Sequence, residues 1–238
     1  MTSNSCSRTS TYASSSRSST PSWPRPTRRT CPTSHSSPGS SAPSGSTARN
    51  APSSGASRAR LPEPWTLESF PFKHQPGVNQ RQIRGFAELD FLGKAENIVF
   101  IGPTGVGKTG LASGLLLKAL QNGYRGAFVK AQDLFDEMYA SLADRSTRRL
   151  LKQLARLDVL VIDEMGYLNL KPEQTNIFFK LMEERYRRHP TIITTNLDYE
   201  QWHGFLGNKH LVEALLSRLR HQCHTVTING PSLRDQQG

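Results

Sequence analysis

The first 60 residues contain no Leu, Ile, Val, Phe, Lys, Asp or Glu. They hold twenty Ser, eight Thr, eight Arg and seven Pro instead. A segment of that make-up cannot bury enough apolar surface to offset the entropy of ordering, so disorder is expected there. Its arginines carry +8 of the net +11, leaving residues 61–238 with 22 basic against 19 acidic side chains, a mild +3. The basic balance is therefore no nucleic-acid signature of the part that folds. The Arg- and Ser-rich, acid-free start also lacks the large aliphatic residues of an amphipathic targeting helix, which argues against organelle import.

Cysteine is scarce too. Cys6, Cys31 and Cys223 give neither a disulfide framework nor a pair at metal-ligand spacing. His221, Cys223 and His224 cluster, but this triplet lacks the ligand count of a zinc site and reads as a strand with incidental side chains. No apolar run reaches 18 residues, and no hydrophobic segment follows the N-terminus. Membrane insertion and Sec-type secretion are excluded on that reading, and a cytoplasmic location is expected.

From about Leu61 onward the chain is long enough for one domain with a sizeable core. Within it, Gly102-Pro103-Thr104-Gly105-Val106-Gly107-Lys108-Thr109 fits G-x-x-x-x-G-K-[ST], a loop whose backbone N–H groups wrap nucleotide phosphates. Gly110 continues it into the next element. Asn97–Ile101 before the loop suits a buried parallel strand, and Leu111, Leu115, Leu116 and Leu120 follow at helical spacing. Strand, glycine loop and helix are what the chemistry needs, because a helix N-terminus directs partial positive charge at phosphate.

The remaining pattern alternates. A helix is expected over Asn79–Leu92, then strand 97–101, helix 108–121 and strand Gly126–Lys130. Two helices follow, Ala131–Leu142 and Ser146–Ala155, then strand Asp158–Ile162 and a helix from Pro172 to about Arg188. Strand Thr191–Thr195, helix Lys209–Arg220 and strand Thr225–Ile228 close the chain. Such alternation predicts an α/β fold, a P-loop NTPase with a parallel sheet and helices on both faces. Ligands in such sheets sit at the carboxyl ends of the strands.

Val159-Leu160-Val161-Ile162-Asp163-Glu164 is the second signal: a buried strand that ends on two carboxylates. The first can hold Mg²⁺ together with the Thr109 hydroxyl, and the second can polarise an attacking water. Lys108 is expected at the β- and γ-phosphates as a mobile point charge. Asn196, after the next strand, can orient water or touch the γ-phosphate, or else cap the following helix. Arg218 on the late helix is a candidate arginine finger, with Arg220 as the competing choice.

These residues together resemble the IstB family, ATPases that assist insertion-sequence transposases, within the AAA+ clade that holds the helicase loader DnaC and the initiator DnaA. The likeness runs from about Trp65 to Arg234. It rests on Thr66–Phe70, Leu89–Leu92, the phosphate loop, Ile162–Leu168, Thr191–Leu197 and the region of Ser217-Arg218-Leu219. The resemblance implies an AAA+ / RecA-like core without a full C-terminal lid domain. It implies ATP and Mg²⁺ as ligands, with Lys108 and Thr109 on phosphate and metal and Asp163 supporting Mg²⁺. Glu164 becomes the catalytic base, Asn196 a sensor, and Arg218 a finger acting in trans within a homo-oligomer. Arg234 aligns with a tail arginine that contacts nucleotide. DNA, bound mostly through its backbone, and a transposase of the IstA type are the implied partners. Arg145, Arg148, Arg149, Lys152 and Arg156 fall on an inserted helix pair that touches DNA in relatives; a solvated basic face is the plainer reading.

The chain departs from the family at its start. Relatives begin with a folded helical domain, whereas residues 1–60 carry no such pattern, and their composition reads as an out-of-frame translation or a misplaced start. Two other functions share the core: a DnaC-like helicase loader, and an assembly switch run by ATP occupancy without turnover. A small-molecule kinase is disfavoured because no substrate lid is evident. A GTPase is disfavoured because Asn208-Lys209-His210-Leu211 lacks an aspartate for guanine.

Overall fold

Apolar β-branched and aromatic runs bounded by turn residues build the strands of this protein, seen in a computed structural model that describes residues 61–62, 66–166 and 168–234. The Ser-rich head, with the disorder and reading-frame expectations attached to it, lies outside the described residues, as do Trp65 and Tyr167 of the family strings. Strands β1 (Asn97–Ile101), β2 (Gly126–Lys130), β3 (Val159–Met165), β4 (Thr191–Thr195) and β5 (Cys223–Thr227) form one sheet in the order β2-β3-β4-β1-β5. Every pairing is parallel. Ile98, Val99, Phe100, Leu160, Val161, Ile192 and Ile193 are fully buried, as strands covered on both faces require.

Helices fill both faces. They are α1 (Gln80–Ala87), α2 (Asp90–Lys94), α3 (Lys108–Gln121), α4 (Ala131–Ala143), α5 (Thr147–Ala155), α6 (Pro172–Arg185), α7 (Trp202–Leu206) and α8 (Lys209–His221). The order carries the function: β1 and β4 are neighbours, and so are β3 and β4. The loop after β1 therefore meets the ends of β3 and β4 at one rim.

Most expected elements match within a residue or two, and four differ. The helix expected over Asn79–Leu92 is two, because Leu89 takes a left-handed conformation (φ 66°) that stops α1 and starts α2. Strand β3 runs on through Asp163 and Glu164, since Lys130 of β2 pairs in register with Asp163 and keeps the acid inside the sheet. Helix α6 stops at Arg185, short of Arg188, with Arg187 left-handed (φ 58°). Strand β5 begins at Cys223 and ends at Thr227, displaced from the expected Thr225–Ile228.

A 3-10 turn at Tyr199–Gln201 leads into α7, which sequence reasoning missed altogether. Its signature is Asp198-x-x-Gln201: Gln201 Oε1 accepts from the Asp198 N–H at 2.9 Å, and Trp202 just beyond is fully buried.

Arg185 pins a corner of the fold. It is 1% exposed and donates to Leu154 O (2.7 Å), Leu157 O (3.0 Å), Pro190 O (2.5 Å) and Thr191 Oγ1 (3.0 Å). Burial pushes its guanidinium down to about 9, so it stays charged at neutral pH. The negative end of the α5 dipole, at Leu154 and Leu157, offsets that charge where no carboxylate bonds it.

No described helix is long and apolar enough to cross a membrane.

Candidate functional site at the carboxyl rim of the sheet

The loop between β1 and α3 holds its shape through its glycines and its carbonyls. Gly105 (φ 86°) and Gly107 (φ 94°) occupy left-handed conformations that a side chain would strain. A Cβ on Gly107 would also lie 2.6 Å from the Phe70 ring, and one on Gly105 would overlap Ser232 Oγ. Gly102 ends β1 and donates to Thr195 O at 3.2 Å, which ties the loop to β4. Val106 is buried at 1% exposure, Gly110 is buried in the first turn of α3, and Pro103 and Thr104 are exposed.

Lys108 opens α3, and its ammonium donates to Gly102 O (2.8 Å) and Pro103 O (2.7 Å). Desolvation lowers its pKa, the nearby Asp163 and Glu164 raise it, and Arg234 lowers it again. The cation thus rests inside the loop on carbonyls, within the field of both rim carboxylates.

Thr109 Oγ1 donates to Asp163 Oδ1 at 3.0 Å and lies 3.2 Å from Oδ2. Thr194 Oγ1 donates to the same Oδ1 at 2.5 Å and accepts from the Glu164 N–H at 3.0 Å. Asp163 is 2% exposed, and burial raises its pKa despite the two hydroxyl donors. One hydroxyl and one carboxylate form a hard, all-oxygen donor set, the kind Mg²⁺ takes when phosphates and waters complete its shell. That set fits Mg²⁺ in a site shared with a nucleotide. Among the described residues no group of three or more His, Cys, Asp or Glu could hold a metal alone. Of the triplet seen in the sequence, Cys223 Sγ lies 3.9 Å from the Tyr199 hydroxyl and His224 Nε2 lies 2.9 Å from Glu96 Oε2.

Glu164 stands at a register shift in the β3–β4 ladder, with φ 60°. A left-handed glutamate in a strand is strained by about 1–3 kcal/mol, and such strain clusters at functional sites. The bulge turns its carboxylate out of the sheet, 53% exposed and 3.6 Å from Lys130 Nζ. Asn196 follows β4 directly. Its Oδ1 is buried and finds no hydrogen-bond partner among the described residues. It caps no helix, because Asp198 precedes the turn that leads to α7.

The structure thus gathers Gly102–Gly110, Asp163, Glu164 and Thr194 at one rim, with Asn196 at the end of the strand between β1 and β3. Arg218 is not among them. It lies on α8, donates to Ala214 O (3.1 Å) and approaches Glu183 of α6 at 3.9 Å. Arg220 stacks 5.0 Å from the Tyr199 ring. Sequence reasoning missed Thr194 as the bridge between both carboxylate residues, and it missed Lys130. Both lie on the strands that flank the acidic end of β3, which local spacing along the chain does not reveal.

Beside the rim, α4 and α5 carry the inserted basic stretch. Arg145, Arg148, Arg149, Lys152 and Arg156 lie outside the core, while Leu150, Leu151 and Leu154 face it. Tyr139 and Leu142 of α4 are exposed at 42% and 43%.

Known proteins resemble this chain in sequence and in fold. The family model for IstB-like ATP binding proteins matches residues 47–238. An ATP-binding protein of insertion sequence IS21 from Pseudomonas aeruginosa is 38% identical over 177 residues, covering 74% of this chain and 67% of its own. A counterpart from insertion sequence IS232 of Bacillus thuringiensis subsp. berliner is 37% identical over 168 residues, covering 71% and 67%. Among solved structures, the DnaC helicase loader superposes with a TM-score of 0.58 at 26% identity, over 69% of this chain and 97% of that one. The fold is that of AAA+ P-loop proteins.

Proposed function

Because this chain belongs to the family of IstB-like ATP binding proteins, we propose that it is an ATP hydrolase that oligomerises on DNA and assists a transposase of the IstA type. ATP binding follows from the family and its phosphate loop. Turnover, DNA and the transposase are the added claims. The observation that carries turnover is the network Thr109–Asp163–Thr194–Glu164, which sets a hydroxyl, a buried carboxylate and an outward carboxylate beside one phosphate loop.

In this reading the loop amides and Lys108 hold the β- and γ-phosphates. Thr109 and Asp163 would hold Mg²⁺, which when bound neutralises charge on the phosphates. Glu164 takes a proton from the water whose oxygen bonds to the γ-phosphorus as the β–γ bridging bond breaks and ADP leaves. Asn196, with its unpaired buried oxygen, orients that water. Arg218 is held within its own chain by the bond to Ala214 O and a long, half-exposed ion pair, so a neighbouring protomer's phosphates can claim it at little cost. The basic face of α5 supplies contacts to DNA phosphates. Arg234, close enough to perturb Lys108, contacts the nucleotide in cis.

A second reading, a helicase loader, is supported by the fold match to DnaC, while the identity to insertion-sequence proteins favours the first. Phosphate release by the full chain with duplex DNA tests the enzyme. Lys108→Ala should abolish tight ATP binding, and Glu164→Gln should bind ATP yet release phosphate at least about 100-fold more slowly. Full turnover in Glu164→Gln rejects the base. If that variant retains all DNA activity, ATP acts as a switch without turnover.

A further inference from the structure

The carbonyls of the phosphate loop are held from outside it. Leu233 N–H donates to Gly105 O at 2.9 Å, and Gln75 Nε2 donates to Val106 O at 3.2 Å. The same amide nitrogen donates to Pro231 O at 3.0 Å. Gln75 is fully buried although it lies between helices, in the segment that follows a 3-10 turn at Phe72–His74. Burying a carboxamide is costly unless it finds partners, and this one bonds two segments 31 and 156 residues away. Its Oε1 is buried with no hydrogen-bond partner among the described residues. Gly230 presses on that oxygen: a Cβ there would overlap it, so the Gly230 C–H is directed at Oε1.

We propose that Gln75 is a positioning residue for ATP, whose carboxamide fastens the C-terminal strap, residues 229–234, onto the phosphate loop so that strap docking and the loop's binding shape form one equilibrium. The proposal rests on the ATP-binding reading above. In a trans peptide the N–H points opposite to the C=O. With the carbonyls of Gly105 and Val106 turned toward the strap and Gln75, the N–H groups of Val106 and Gly107 point the other way, as anion binding requires. The docked strap also delivers charge. Ser232 Oγ accepts from the Arg234 N–H at 3.2 Å, and the Arg234 cation lies within the field of Lys108. A phosphate between the two cations relieves their repulsion, so nucleotide favours the docked strap. By linkage, the docked strap favours nucleotide by the same factor.

The test uses the full chain, a non-hydrolysable ATP analogue, calorimetry and hydrogen exchange at the Leu233 amide. The analogue should slow Leu233 exchange in the unaltered protein. Gln75→Met keeps length and loses both donors; it should weaken analogue binding about tenfold and remove the analogue's effect on Leu233. Gly230→Ala, whose methyl would overlap the Gln75 carboxamide, should give the same loss, and the double substitution should be no worse than either alone. A merely structural Gln75 would lower Tm while the analogue still protected Leu233. Unchanged affinity in Gln75→Met, additive losses, or Leu233 exchange indifferent to the analogue would overturn the proposal. Should Gln75→Met fail to fold, Gly230→Ala decides on the same readouts. If the unaltered chain binds no analogue, the ATP reading fails instead, and Gln75 is then judged by whether its loss speeds Leu233 exchange in the ligand-free protein.

Discussion

Asp163 shows what a functional residue costs its fold. It is almost fully buried, between two hydroxyls and beside Glu164, and burial raises its pKa above the usual carboxylate value. A raised pKa in the folded state means that the native protein resists ionising this group more than the unfolded chain does. Its contribution to stability is therefore complete below the unfolded value near 3.8 and is lost as pH rises through the folded value. At neutral pH the carboxylate is kept at a loss. Asp163→Asn preserves an acceptor for Thr109 and Thr194 and removes the charge. We expect it to raise Tm at pH 7 by about 2–4 °C, the shift that roughly 1 kcal/mol produces in a domain of this size. The gain should shrink as pH falls through the raised folded value and vanish below about 3.8, where the carboxyl is protonated in the folded and unfolded chain alike. ATP turnover should be lost. A variant that melts lower than the unaltered chain at pH 7, measured by calorimetry without nucleotide, would show that the ionised form is the stabilising one.

Among the elements, legibility followed burial. The bounds of β1, α3, β2 and β4 are those that the sequence predicts, because each is an apolar run ended by a residue with its own local reason to stop. The phosphate loop and the two acids were legible for the same reason: their spacing is local. What stayed hidden depends on tertiary partners. Leu89 is left-handed without being a glycine, β3 lengthens because Lys130 pairs beside Asp163 and Thr195 beside Met165, and Gln75 meets Pro231 across 156 residues. The basic face of α5 is legible as charge, but its partner is not. If that face binds DNA phosphates, Arg148→Glu with Arg149→Glu should weaken DNA binding by more than about tenfold at low salt. It should also flatten the salt dependence by about one unit of log–log slope for each phosphate that the helix no longer neutralises. Both side chains lie outside the core, so Tm should hold. An unchanged salt slope in a filter-binding titration would leave the face merely solvated.

At the scale of the whole molecule, the rim as one chain presents it holds a loop, two carboxylates and the cations Lys108 and Arg234, while Arg218 sits apart on α8 against Glu183. Hydrolysis needs positive charge where the γ-phosphate develops negative charge, and an arginine supplied from a neighbour adds a factor on the order of 10³–10⁵. If Arg218 plays that part, a protomer lacking it is still a complete acceptor of a neighbour's arginine. A Glu164→Gln protomer, inactive by itself, is likewise a complete donor. Mixing Arg218→Ala with Glu164→Gln should then recover about a quarter of wild-type turnover at equal amounts, since random assembly pairs an intact base with an intact finger at one junction in four. The recovered rate should depend on protein concentration and on DNA, because only assembled protomers complete a site. Light scattering on the same mixture establishes that assembly took place. A mixture that assembles as the unaltered protein does and yet releases no phosphate would confine Arg218 to its own chain, and Arg220, freed from the Tyr199 ring, would be the next arginine to substitute.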